Sequence, residues 1–324
     1  MNSKEHNQSP ILQTIPLRKL IESIAAQFPM VRGSTVALIT PFTSSGNIDV
    51  QEIKSLVQFH IDQGTDNFCI LGTTAEAAVM SLEERATVLS TVVEIAKGKV
   101  PILVGTGTIN PSSVKAMTQQ AIDLGADANL VVSPYYIKPP QRGLIRHFVQ
   151  IADMGLPVVL YDVPGRTAVR LSEETIGICA EHDNIFGLKD ATGDISRIAS
   201  LKTSLGKNAD NFLLYSGDDG TTLDFCLNGG DGCISVTANV APKTMHEMVH
   251  AALNGNTEIA NQLNGPLESL HKDLFVESNP IPCKWAAKRM GLIKSAYCRP
   301  PLDELDPPLQ PIVEAALKGA GLIQ

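Results

Sequence analysis

Eight short apolar runs rich in β-formers recur along this chain, at 35–39, 67–71, 101–104, 129–132, 157–160, 185–188, 212–215 and 232–236. They start roughly 20 to 34 residues apart, and segments with helical apolar spacing, such as 50–63, 82–97, 112–124 and 143–154, fill the gaps. Such alternation admits a closed (β/α)8 barrel or an open doubly wound sheet. An open dinucleotide-binding sheet would carry a glycine fingerprint after its first strand. Here that strand runs into Thr40-Pro41-Phe42, and Gly105-Thr106-Gly107 has Asn110 where a third glycine would stand. The pattern therefore predicts an α/β protein with a (β/α)8 barrel of the TIM type.

The barrel is expected over residues 31–254. The 70 residues after Asn254 carry no strong strand signal but hold helical spacing at 259–274, 282–290 and 309–317, which predicts a C-terminal helical layer over 255–324. Residues 1–30 read as an N-terminal extension, a short amphipathic helix or a mobile arm without a catalytic role, and Met30 just before the first strand is an alternative start. Apolar residues at 44% and charged residues at 19% suit a large core and exclude wholesale disorder. A net charge of -8 with scattered Lys and Arg argues against a nucleic-acid partner. No uninterrupted apolar run is long enough to span a membrane. The six cysteines form no Cys-x-x-Cys pair and the start lacks a secretory pattern, so reduced thiols in a cytoplasm are expected.

Polar motifs cluster where the apolar runs end, the face on which barrel enzymes build active sites. Gly72-Thr73-Thr74-Ala75-Glu76 follows the second run, Ser133-Pro134-Tyr135-Tyr136 the fourth and Tyr161-Asp162-Val163-Pro164-Gly165-Arg166-Thr167 the fifth. Gly187-Leu188-Lys189-Asp190-Ala191-Thr192-Gly193 closes the sixth, and Ser216-Gly217-Asp218-Asp219 the seventh. Three of the five tyrosines belong to this one face. A lysine at the mouth of a barrel strand is a candidate Schiff-base nucleophile, because a partly desolvated site favours the neutral amine that attacks a carbonyl. Alone it would more simply be a salt-bridged surface lysine; the neighbouring motifs favour chemistry.

Together with Phe275-Val276-Glu277-Ser278-Asn279-Pro280-Ile281-Pro282, these motifs resemble the dihydrodipicolinate synthase and N-acetylneuraminate lyase family of pyruvate-dependent class I aldolases, in order and in register from about residue 31 to 322. The resemblance implies that Lys189 condenses with pyruvate and that the resulting enamine attacks the aldehyde of L-aspartate 4-semialdehyde, on the route to diaminopimelate and lysine. It implies that Tyr161 shuttles protons, as a phenol can, and that Thr73 links it to Tyr136 from a neighbouring subunit. Thr73 and Thr74 would hold the pyruvate carboxylate, Arg166 the carboxylate of the semialdehyde, with Gly217 and Ile234 as further substrate-binding positions. It implies a homo-oligomer, a dimer at least and a tetramer in full, and no cofactor or metal, since the covalent lysine does the work usually given to a cofactor.

Three positions depart from the common family pattern: Ala75 where glycine is frequent, Asp162 where asparagine is, and Asp190 where glutamate is. The first adds a Cβ beside the carboxylate site, and the other two keep polarity. Within the family, Arg166 favours the synthase over a sialic-acid or other 2-oxo-acid lyase, because a semialdehyde carboxylate needs a cation. A non-catalytic barrel is disfavoured by the intact Lys189, Tyr161, Thr73 and Tyr136. In lysine-inhibited relatives the effector is held by a glutamate, an asparagine and histidines, at whose positions this chain has Ser113, Ile109, Leu82 and Arg85, with Tyr135 retained. Weak or absent inhibition by lysine is expected. His246-Glu247-Met248-Val249-His250 also fits H-E-x-x-H, but no G-x-x-H follows and it falls on the helix after the last strand, away from the mouth, so a zinc metalloprotease is not expected.

Overall fold

The computed structural model describes residues 30–324, so the expectations for the N-terminal extension fall outside the described residues. Eight parallel strands close into a barrel in sequence order: β1 (Gly33–Ala37), β2 (Asn67–Ile70), β3 (Ile102–Gly105), β4 (Ala128–Val132), β5 (Val158–Asp162), β6 (Ile185–Asp190), β7 (Leu213–Ser216) and β8 (Gly232–Ser235). Between them run α1 (Val50–Asp62), α2 (Leu82–Ala96), α3 (Pro111–Asp123), α4 (Gln141–Ala152), the single turn α5 (Pro164–Thr167), α6 (Glu173–Cys179), α7 (Arg197–Leu205) and α8 (Thr222–Leu227). After β8 come α9 (Pro242–Leu253), α10 (Thr257–Asn264), α11 (Glu268–Asp273), α12 (Ile281–Arg289) and α13 (Gln310–Gly319). Local chemistry sets several of the starts: Ser81 and Glu84 form a reciprocal capping box at α2, and Asn110 followed by Pro111 opens α3.

Two differences from the sequence pattern have clear causes. The strands β5 and β6 run two residues beyond their apolar stretches, because Tyr161, Asp162, Lys189 and Asp190 continue the ladder in register. The single helix expected over 259–274 is three pieces, α10, a 3-10 turn at Gly265–Leu267 and α11. Pro266 lacks the N–H that a continuous helix needs there.

Strand alternation sorts side chains into two layers. Along β5, Val159 and Tyr161 face the barrel interior with Ala37, Leu130, Leu213 and Ile234, whereas Val158 and Leu160 face the helices with Phe148, Ile176 and Ile198. At the seam between β1 and β8, Gly33 pairs with Gly232. A Cβ on Gly232 would lie 2.0 Å from the Gly33 carbonyl oxygen, and its φ of +145° is strained for any side chain. The C-terminal helices are not a separate body: Leu270, Ala286 and Val313 share a continuous core with Val36, Phe68 and Met245.

Candidate active site

Register brings Tyr161 and Lys189 together. Tyr161 on β5 pairs with Lys189 on β6, and Asp162 with Asp190. Alternation then turns Tyr161 and Lys189 into the barrel and the two aspartates outward. Lys189 is 7% exposed, and its Nζ lies over the Tyr161 ring, 4.5 Å from the centroid. Among the described residues no carboxylate pairs with it, so the salt-bridged surface lysine does not describe this residue.

The outward aspartates meet one cation. Arg197 Nη1, at the start of α7, donates to Asp162 Oδ2 at 2.8 Å and to Asp190 Oδ2 at 3.0 Å. Its Nε donates to Glu173 Oε1 at 2.7 Å, and its Nη2 to the Leu171 carbonyl. Burial opposes the Arg197 charge, but Asp190, Glu173 and Asp162 more than offset it and raise its pKa above the ordinary value. Burial likewise lifts the Asp162 carboxyl, and the Arg197 contact opposes that lift. Asp162 Oδ1 also accepts from the Leu171 N–H, and Asp190 Oδ1 from the Thr192 N–H and hydroxyl. The two aspartates, noted in the sequence only as polar departures, are thus anchors of the strand ends that carry Tyr161 and Lys189.

The turn after β2 is held from the C-terminal layer. Leu71 and Glu76 both adopt positive φ, 54° and 58°, which for non-glycine residues costs on the order of 1–3 kcal/mol each and persists only where the surroundings impose it. Glu76 is pinned by Lys284 of α12, at 2.7 Å with neither side chain more than 1% exposed, and by the Arg299 N–H at 2.8 Å. Within the turn Thr74 is buried, and its Oγ1 accepts from Asn279 Nδ2 at 2.9 Å. Asn279 also accepts from Arg166 Nη2 through its carbonyl, at 3.4 Å. Ala75 is buried at negative φ, so its Cβ imposes no backbone strain.

A cavity of about 780 Å³ opens here, lined by Thr73, Tyr135, Tyr161, Arg166 and Asn279 among others. Lys189, Thr74, Gly217 and Ile234 are not part of its wall; Lys189 adjoins it through Tyr161. Gly217 lies against the lysine stem, where a Cβ would stand 2.9 Å from Lys189 Cε. Ile234 packs inside the barrel with Tyr161 and Tyr215. Tyr136 is not brought into this site: it is 86% exposed on the loop after β4, at φ +69°. Its neighbour Tyr135 instead bonds Thr108 Oγ1 through its hydroxyl, at 3.1 Å. Sequence reasoning assigned no role to Arg197, Glu173, Glu76 or Lys284; Glu76 and Asn279 lie inside motifs already quoted, but nothing local marks Arg197 as the partner of residues on two strands.

The model of the dihydrodipicolinate synthetase family matches residues 30–320. The chain is 46% identical over 296 residues to 4-hydroxy-tetrahydrodipicolinate synthase of Alcanivorax borkumensis, covering 91% of this chain and 99% of that protein. The crystal structure of the chloride-inhibited dihydrodipicolinate synthase of Acinetobacter baumannii complexed with pyruvate superposes with a TM-score of 0.87 at 44% identity, over 90% of this chain and 100% of that one. The enzyme of Cyanidioschyzon merolae with lysine bound does so with a TM-score of 0.87 at 32% identity, over 91% and 100%.

Replacing Arg197 by Met should leave two buried carboxylates without their cation, a change that commonly costs about 3–5 kcal/mol. A clear drop in melting temperature is expected for Arg197→Met, with Arg197→Lys intermediate. Thermal melts of the three proteins decide it; a midpoint for Arg197→Met within about 1 °C of the parent would show that the strand ends do not depend on this contact.

Proposed function

The chain belongs to the dihydrodipicolinate synthetase family, and we propose that it carries out that family's chemistry through an imine on Lys189. Its reaction is the condensation of pyruvate with L-aspartate 4-semialdehyde to 4-hydroxy-tetrahydrodipicolinate. The single observation that carries the assignment is a lysine buried at a barrel-strand end, without a carboxylate partner among the described residues and lying over a tyrosine ring at the edge of a cavity that Thr73, Tyr135 and Arg166 help to line.

In this scheme the Lys189 amine attacks the pyruvate ketone, and water leaves as the imine forms. Tyr161 gives and takes the protons of those steps. Loss of a methyl proton yields the enamine, whose carbon attacks the semialdehyde aldehyde. The Thr74 hydroxyl already accepts from Asn279, which leaves its own O–H to donate to the pyruvate carboxylate, beside Thr73. Arg166 is exposed and lines the cavity, where it would take the carboxylate of the second substrate. Gly217 keeps space clear for the lysine stem, and Ile234 forms part of the apolar barrel interior next to Tyr161. The proton relay from Tyr161 through Thr73 is completed by Tyr136 from a second copy of the chain. A tyrosine 86% exposed and held at positive φ is a surface element made to be covered, which supports a dimer at least and a tetramer as its doubling. Among the described residues no helix is long and apolar enough to cross a membrane, and all six cysteines are free and buried, which supports a cytoplasmic setting.

Pyruvate with borohydride should add a reduced pyruvyl group at Lys189 and inactivate the protein, and Lys189→Arg should neither label nor turn over. Peptide mass mapping reads this directly; label on another lysine, or none, sinks the nucleophile assignment. Mixing Tyr136→Phe with Lys189→Ala should restore activity, since a mixed dimer holds one site with both groups intact. No recovery after subunit exchange has been demonstrated would place Tyr136 in its own subunit's chemistry.

Inhibition by L-lysine should be weak or absent. Leu82, Arg85, Ser113 and Tyr135 line the same cavity, so an effector there would meet a guanidinium, and the one carboxylate among the described lining residues, Glu76, is already held by Lys284 and the Arg299 N–H. Glu84 is occupied by Arg299 and by the Ser81 cap, and Glu83 faces solvent. An unpaired ammonium buried in that place costs several kcal/mol. Steady-state rates from 0 to roughly 10 mM lysine, spanning weak affinities, test this; clear inhibition well below the top of the range would contradict it.

A further inference from the structure

At the N-terminal end of the barrel, opposite the mouth, three ligand-type side chains from distant parts of the chain converge. Asp66 immediately precedes β2, and His246 and His250 stand one turn apart on α9. Asp66 Oδ2 lies 3.0 Å from His246 Nδ1, and Asp66 Oδ1 lies 3.0 Å from His250 Nε2. The ligand atoms of all three lie within 4.8 Å of one another. We infer that Asp66, His246 and His250 form a binding site for a divalent first-row transition metal, with Zn2+ as the natural probe.

The spacing suits such an ion. Zinc bonds of about 2.0–2.2 Å in a tetrahedron set neighbouring ligand atoms roughly 3.3–3.6 Å apart, so the two aspartate–histidine separations of 3.0 Å need to open by only a few tenths of an ångström. Two imidazoles and one carboxylate leave a fourth position to water, the donor set of an open zinc site. Access is available: the two histidine side chains are 32% and 38% exposed and the aspartate 13%. The carboxylate is also pre-oriented, because Asp66 Oδ2 accepts from the Ser34 N–H at 2.8 Å. The surrounding backbone makes room for it. A Cβ on Gly33 would stand 2.3 Å from Asp66 Oδ2, and the His246 ring lies 3.7 Å from where a Gly64 Cβ would be. Both glycines have positive φ.

The third ligand is what the H-E-x-x-H pattern does not contain, and Glu247 does not serve as a metalloprotease base. It is 45% exposed and its nearest cation is Lys243, one turn back, at 3.9 Å. The site therefore predicts no hydrolysis. Its effect is mechanical: a bound ion would tie the helix after β8 to the start of β2 across β1, where the barrel closes. Because it lies at the far end from Lys189, occupation should leave the condensation unchanged.

The full-length protein, stripped with a chelator and dialysed, should take up one Zn2+ per chain by titration calorimetry. Its melting temperature should rise by a few degrees at saturating metal, as expected when a ligand binds only the folded state. Substituted Co2+ should give the intense visible absorption of a four-coordinate ion. His246→Gln and His250→Gln should each weaken binding at least tenfold, cancel the thermal shift and keep the parent's condensation rate. The inference fails if the parent binds no stoichiometric Zn2+, if Co2+ shows only the weak spectrum of an octahedral aquo ion, or if both glutamine variants bind as the parent does. The Co2+ spectrum is read on the parent alone and stands whether or not a variant folds.

Discussion

Two buried carboxylates, each one residue past a side chain of the candidate site, converge on one guanidinium. Asp162 follows Tyr161 and Asp190 follows Lys189, and Arg197 joins them at 2.8 and 3.0 Å with 1% of its side chain exposed. Strand alternation makes this contact and the chemistry two faces of one register: whatever fixes the aspartates outside the barrel fixes the tyrosine and lysine inside it. A one-residue slip of either strand would exchange them, presenting a carboxylate to the barrel interior and Tyr161 or Lys189 to the helices. The charge balance of the clamp opposes that slip, and it explains why β5 and β6 continue past their apolar residues.

The same economy governs the rest of the mouth. A turn with two left-handed non-glycine residues is held by Glu76 and Lys284, a pair with almost no solvent contact. Such pairs are weak sources of net stability, because desolvation of both charges consumes much of their attraction. What they supply here is position. Lys284 Nζ also lies 4.2 Å from the centroid of Phe42 and donates to the Tyr297 carbonyl, and Arg299 reaches Glu84, Gly46 and the same phenyl ring. The C-terminal helices thus act on the site through ion pairs and one amide, Asn279, rather than by contributing a reactive group. Apolar packing of those helices into the barrel's own core supplies the stability that lets these polar contacts be spent on geometry.

Much of the architecture was legible in the chain. Eight apolar runs at near-regular spacing, with helical periodicity between them, admit few closed arrangements of parallel strands, since each crossover needs a helix and each strand two covered faces. The positions of Thr73, Tyr161, Arg166 and Lys189 at strand ends followed from that frame, because the ends of apolar runs are local features. Boundaries were less legible: the charged ends of β5 and β6 look like loop until Arg197 is in place, and Pro266 breaks a helix that apolar spacing alone continues.

By itself, then, the sequence determined the strand count, the order of the elements and which residue types meet at the mouth, because period, turn chemistry and motif order are properties of neighbours along the chain. Only the tertiary structure decided which charges are paired. Arg197 lies 35 residues from Asp162, Lys284 lies 208 from Glu76, and Asp66 lies 180 from His246. Nothing in local spacing encodes those separations. They exist because closure of the barrel brings β1, β2 and β8 together at one end and the C-terminal helices against the turn after β2 at the other, and burial there leaves each charge only the partner that the fold supplies.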